Sequence, residues 1–330
     1  MENRGASAGA QEGATAGRNP ARPDARLDWV DTARGIGIIA VVIGHVWTQG
    51  ALRGAVYSFH MPLFFLLSGY LSRPQPMGVF TRRQLTDQLR PYAAFLLLLI
   101  LADQLIEPMK GGQPIFHRWP HDLGPILLGG SWLRGPYTIF WFVPCLMVAR
   151  ILFNAALVRW PDPLDRRWAA LLLPSLALAY GAGQATDVSP LGLLTVPMAV
   201  VLLWMGAAFR GLTLRWWMIA ALVPLALAGL ALIVPTLNMK AGDYGWPSLS
   251  IGSAIATSLV IFEVARRIAP LASPLAAVGR ASLVIMYCHV ALIHYLTPYL
   301  DKAWLMAVAL LAPFAFYHLI RVTPLRRVFL

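Results

Sequence analysis

The chain has 330 residues, of which 58% are hydrophobic and 13% charged, where soluble domains carry about 25% charge. That balance excludes a disordered chain, a nucleic-acid-binding domain and an ordinary water-soluble enzyme, and it points to a polytopic membrane protein. With 27 Lys and Arg against 15 Asp and Glu, a net charge of +12, the meaning of the excess depends on where the basic residues fall.

Residues 1–26 are rich in Ala, Gly, Arg and Pro. They hold no apolar run of the signal-peptide kind and cannot bury enough surface to offset the entropy of ordering, so a disordered cytoplasmic tail is expected. Residues 27–330 are expected to form one transmembrane domain, anchored by an uncleaved first helix. A spanning helix needs about 20 mostly apolar residues. Ten runs are read as spans: 34–52, 56–72, 91–107, 137–158, 168–183, 190–209, 216–237, 248–265, 281–299 and 303–322. The expected fold is all-α, with about ten transmembrane helices and both termini cytoplasmic. This alternation puts 21 of the 27 basic residues inside and leaves six outside, Arg53, Lys110, Arg118, Arg134, Lys240 and Lys302, as the positive-inside rule demands. Topology and anionic lipid headgroups then account for the charge, and no nucleic-acid partner is needed.

In the first span Arg34 and His45 are eleven residues apart, three turns and a little more, so they share one stripe about 16 Å apart along the axis. Asp31 is placed to pair with Arg34 across one turn. Arg34 is expected at the inner mouth and His45 near mid-bilayer. Gly37 and Gly44 share a face and allow close helix approach. The plainer alternatives are a snorkelling Arg34 and a packed His45. In the second span His60 falls at a depth similar to that of His45, and Pro62 is expected to break the helix one turn earlier. Ionisable groups within spans are functional candidates, which adds Asp103 in the third span, either orienting an imidazole or sitting at the outer interface beside Gln104 and Glu107. Glu263 is expected to pair with Arg266 and Arg267. Tyr287 and His289 lie in the ninth span, and His294 and His318 read as weaker candidates. Cys145 and Cys288 sit in apolar runs and suggest neither a disulfide nor a metal site.

Taken together, Asp31-x-x-Arg34-Gly35 leading to Gly44-His45, followed by Phe59-His60-Met61-Pro62-Leu63-Phe64-Phe65-x-x-Ser68-Gly69-Tyr70, resembles the membrane acyltransferase type 3 family, with fucose 4-O-acetylase-like members the nearest in flavour. Arg90-Pro91-Tyr92, Trp141-Phe142-x-Pro144 and Gly279-Arg280-x-Ser282-Leu283 with Tyr287 and His289 are similar to later family motifs. The resemblance implies a bundle of about ten helices in a bacterial cytoplasmic membrane. It implies an O-acyltransferase that takes acetyl from cytoplasmic acetyl-CoA, as co-substrate and without a metal, to a hydroxyl of a carbohydrate or glycan acceptor. Many members carry Arg-x-x-Arg before the third span. Here Arg82, Arg83 and Arg90 are spaced differently, and which of them takes that place stays open.

On this reading His45 is the candidate base or transient acyl carrier. His60 is its hydrogen-bond partner or an oxyanion donor, and Asp103 a further catalytic candidate. Arg34, with Arg82, Arg83 or Arg90, would hold the CoA phosphates. Tyr137, Trp141, Tyr287 and His289 would meet the acceptor, with Trp132 nearby. Succinyl or other acyl transfer by the same mechanism, or a proton-coupled metabolite transporter, are the alternatives. Acceptor identity and oligomeric state are not legible.

Overall fold

Inside a bilayer every backbone N–H and C=O needs a partner within the segment, which leaves the helix as the way for isolated apolar runs to cross. The computed structural model describes residues 28–212 and 214–330, so the expected tail at 1–26 lies outside the described residues. The described residues form helices α1 (Asp28–Val46), α2 (Ala51–Tyr57), α3 (His60–Leu71), α4 (Met77–Gln84), α5 (Arg90–Met109), α6 (Leu123–Leu128) and α7 (Phe142–Arg159). They continue as α8 (Ala169–Ala185), α9 (Val196–Arg210), α10 (Trp216–Leu230), α11 (Leu249–Ile268), α12 (Ser273–Arg280), α13 (Ser282–Leu296), α14 (Lys302–Val322) and α15 (Arg326–Phe329). The all-α expectation holds.

Each of the ten apolar runs is helical, but they differ in reach. Among the described residues, seven helical stretches are long and apolar enough to cross a membrane, and an eighth is counted if α12 and α13, bent by 75°, form one broken span. At 17 and 15 residues, α8 and α10 are shorter than the roughly 20 residues of an untilted crossing.

Three boundaries depart from the sequence expectation. First, α1 starts at Asp28, because Asp28 and Asp31 in its first turn suit the positive end of the helix dipole. His45 is therefore the penultimate residue of α1 and not its midpoint. Second, the 56–72 run is interrupted at Ser58 and Phe59, one turn before Pro62, which has no N–H to offer the Ser58 carbonyl. Third, the ninth run is entered through the bend at Ala281.

Glycines set the closest helix crossings. A Cβ on Gly69 would stand 1.9 Å from the Leu203 carbonyl oxygen, and one on Gly206 2.0 Å from that of Leu66, so α3 and α9 touch backbone to backbone. The same holds between α1 and α12, where a Cβ on Gly35 would lie 2.2 Å from the Leu275 oxygen and one on Gly279 1.8 Å from that of Asp31. Small residues make such contacts possible in lipid, where dispersion between close backbones replaces the hydrophobic drive.

The fold sorts polar groups to two ends. At one, buried Asp31 accepts from Arg34 at 3.2 Å and lies 3.9 Å from Arg280. The Arg266 guanidinium lies 4.5 Å from the Trp29 ring centroid, and Glu263 pairs with Arg266 and Arg267 at 3.4 and 3.1 Å. At the other, Asp103, Tyr295, Lys240 and Thr138 meet the loops at 110–116 and 231–248.

Candidate active site

A cavity of about 240 Å³ opens between α1, α3, the start of α7 and the loop before α11. From α1 it takes Ile38, Val41 and His45, spaced three and four apart so that they fall on one helical stripe. Arg53 and Tyr57 of α2 and His60 of α3 form a second wall, with Trp141, Lys240 and Met286 opposite.

The helix break before Pro62 positions His60. Its Nδ1 donates to the Val56 carbonyl at 2.8 Å. A carbonyl only accepts, so Nδ1 carries the proton and neutral His60 keeps a lone pair on Nε2. The Tyr57 and His60 ring centroids are 4.7 Å apart, and the Arg53 guanidinium covers the Tyr57 ring at 4.0 Å. Tyr57 fits only because residue 44 is glycine, where a Cβ would come within 2.8 Å of its ring.

His45 makes no hydrogen bond to protein among the described residues. Its ring centroid lies 5.0 Å from that of His289, with the planes at 66°. His289 is fully buried, its Nδ1 donates to the Ile285 and Met286 carbonyls at 2.9 and 2.8 Å, and its Nε2 has no partner among the described residues. Trp141 is held at the wall by Gly192, whose φ of 74° and close approach to the Trp141 carbonyl, 2.4 Å from an added Cβ, exclude a side chain there. Lys240 donates to Thr138 Oγ1 at 2.6 Å. Burial, and secondly the Arg134 charge, pull its ammonium down to about 8.

The structure brings His45, His60 and Trp141 together, and His289 stands behind His45. Arg34 is one turn below Ile38 on the same stripe but does not line the cavity. The Phe64 ring, which lines the cavity, lies against Gly37, 3.1 Å from an added Cβ, and edge-on to Phe142 at 6.2 Å.

Asp103 is fully buried but away from the imidazoles. It accepts from Tyr295 Oη at 2.6 Å and from the Ile115 amide at 2.8 Å, tying a loop to the bundle. Tyr137 belongs to the same girdle, donating to the Leu99 carbonyl at 3.4 Å and packing on Phe116. Tyr287, about 100° around α13 from Met286, is stacked on Phe95 at 4.7 Å and does not line the cavity. Arg82, Arg83 and Arg90 are exposed, and Arg83 pairs with Asp87 at 3.2 Å.

Four residues escaped the sequence reading. Arg53, Tyr57 and Lys240 enter the cavity from segments that are adjacent only in the fold. Arg150, in the interior of α7, stands within electrostatic reach of Arg34 and Arg83 with a buried Nε that lacks a partner among the described residues. The signal for Arg150 was available, since an ionisable group inside a span is a functional candidate.

A family model described as an acyltransferase domain matches residues 27–318. No curated protein matches the chain.

Proposed function

The chain belongs to the membrane acyltransferase type 3 family, by a match that covers residues 27–318, and we propose that it moves an acetyl group from cytoplasmic acetyl-CoA to a hydroxyl of a carbohydrate or glycosylated acceptor. The setting proposed is the cytoplasmic membrane of a bacterium. The observation that carries this reading is the His45 ring, which faces the cavity with no hydrogen bond of its own, beside His60 and in front of His289.

In the proposed reaction an imidazole nitrogen of His45 takes the acceptor's hydroxyl proton as the oxygen attacks the thioester carbon. The C–S bond breaks, the acyl–oxygen bond forms, and the proton returns to the departing thiolate. In the stepwise form, His45 first takes the acetyl group and then yields it to the acceptor. His60 acts as a hydrogen-bond acceptor through Nε2. Its Nδ1 proton is already given to Val56, so neutral His60 is a poor oxyanion donor. His289 positions His45, in place of the acceptor contact expected for it. Arg34, Arg83 and Arg150 would hold the CoA phosphates, with Arg82 and Arg90 at the rim.

His45→Ala, with folding verified by thermal unfolding in detergent, is expected to lose transfer by about 10²–10⁴-fold. Retained transfer overturns the assignment. Mass spectrometry of protein quenched after acetyl-CoA alone separates the two forms, because only the stepwise route leaves acetyl on the imidazole.

A further inference from the structure

The cavity carries one sign of charge. Arg53 and Lys240 line it, no Asp or Glu does, and Arg134 stands within electrostatic reach of Lys240. None of these three cations forms an ion pair among the described residues. They are also half of the six basic residues that the alternation of spans places outside, where such residues are disfavoured. Two cations in one concave mouth, with a third close enough to act on Lys240 and no counter-charge among the lining residues, cost desolvation energy and focus a positive potential on whatever enters. The Arg53 guanidinium sits over the face of Tyr57, 4.0 Å from its centroid, and makes no side-chain hydrogen bond among the described residues, so its N–H groups are open to a planar or tetrahedral anion. The CoA phosphates have a separate basic cluster at the opposite end, around Arg34, Arg83 and Arg150.

We propose, on the basis of the acyl-transfer reading above, that the acceptor is an anion: a hydroxylated compound whose carboxylate or phosphate is held between Arg53 and Lys240 while its hydroxyl reaches His45. At about 240 Å³ the cavity is smaller than the roughly 300–1,000 Å³ of drug-sized pockets. The charge and the reacting hydroxyl therefore belong to the same small unit.

The test uses the full chain in detergent or membranes with labelled acetyl-CoA and three matched acceptors, methyl glucoside, methyl glucuronoside and glucose 1-phosphate. In parallel, compounds that gain one acyl mass in cells carrying the gene are collected and their charge is determined. The expected result is a preference of at least about tenfold in kcat/KM for an anionic acceptor, and an anionic product in cells. The double variant Arg53→Gln, Lys240→Gln should bring that ratio close to one, while Arg53→Lys, Lys240→Arg preserves it. The wild-type preference needs no variant to fold. Equal use of the neutral glucoside, or a neutral product in cells, overturns the inference. So does succinyl transfer from succinyl-CoA to methyl glucoside that outpaces acetyl transfer, since the anion would then belong to the acyl group. The transferase reading fails differently, by absence of both CoA release and any acylated compound, and the inference falls with it.

Discussion

The two nitrogens of His60 have separate tasks, and substitution can divide them. Nδ1 holds the Val56 carbonyl across the break in the second span, and Nε2 is left to the cavity. Asn reproduces the first nitrogen's position and Gln the second's. His60→Asn should therefore keep wild-type thermal stability and lose transfer by about 10²-fold. His60→Gln should lose about 1 kcal/mol of stability with its backbone hydrogen bond. Unfolding in detergent and initial rates together check both. Lys240 gives a pH signature. Its ammonium is drawn down to about 8, first by burial and then by Arg134, so it is charged below that pH and neutral above. The KM for an anionic acceptor should rise from pH 7 to pH 9, by at most about tenfold per unit, and the rise should be absent in Lys240→Arg. Arg134, Thr138 and the Leu133 carbonyl face this ammonium, with His45 and Arg53 across the cavity, and the difference between the two proteins isolates its titration. At this scale the sequence pointed to His45, His60 and Trp141, which line one cavity, the histidines through spacing that carries depth and Trp141 through its motif. It could not reveal the direction Asp103 faces, since counting along a helix gives depth but not which neighbour the side chain meets. Arg53 and Lys240 looked like ordinary residues at span ends until the fold gathered their segments.

Among the helices, the closest approaches explain why two of the recognisable motifs contain glycine. Gly35 and Gly279 come from motifs more than two hundred residues apart in the sequence, and they form one crossing. Gly279→Ala would drive a Cβ to 1.8 Å from the Asp31 carbonyl oxygen. Helices α1 and α12 would have to separate, at about 1–3 kcal/mol, with the Asp31, Arg34 and Arg280 cluster disturbed. Gly78→Ala is the contrasting case, since nothing lies within 4 Å of an added Cβ in α4, and it should stabilise by about 0.4–1 kcal/mol. Thermal unfolding of both variants in one detergent compares them directly. The existence of the helices was legible because lipid permits an apolar run few alternatives. Their ends were not. The early start of α1 depends on two carboxylates in its first turn, and the 75° bend between α12 and α13 has no proline at its vertex to announce it.

Across the molecule, the basic residues near the bundle gather in two places. Arg34, Arg83 and Arg150, all assigned to the inner side by reading or by position in their spans, converge at one end. Arg53 and Lys240, from segments read as outside, meet Thr138 at the start of the fourth run on the cavity at the other. What the sequence did not disclose is the separation between the ends. At the cavity wall an aromatic ring is laid over a glycine, an apolar contact of the kind that resists the passage of water and ions. Narrow apolar constrictions shed water and stop ions, and each charge crossing a polarised bilayer releases about 2.3 kcal/mol per 100 mV. With Phe64 resting on Gly37 and edge-on to Phe142, this aromatic wall is where a barrier against ion leak across an energised membrane would stand.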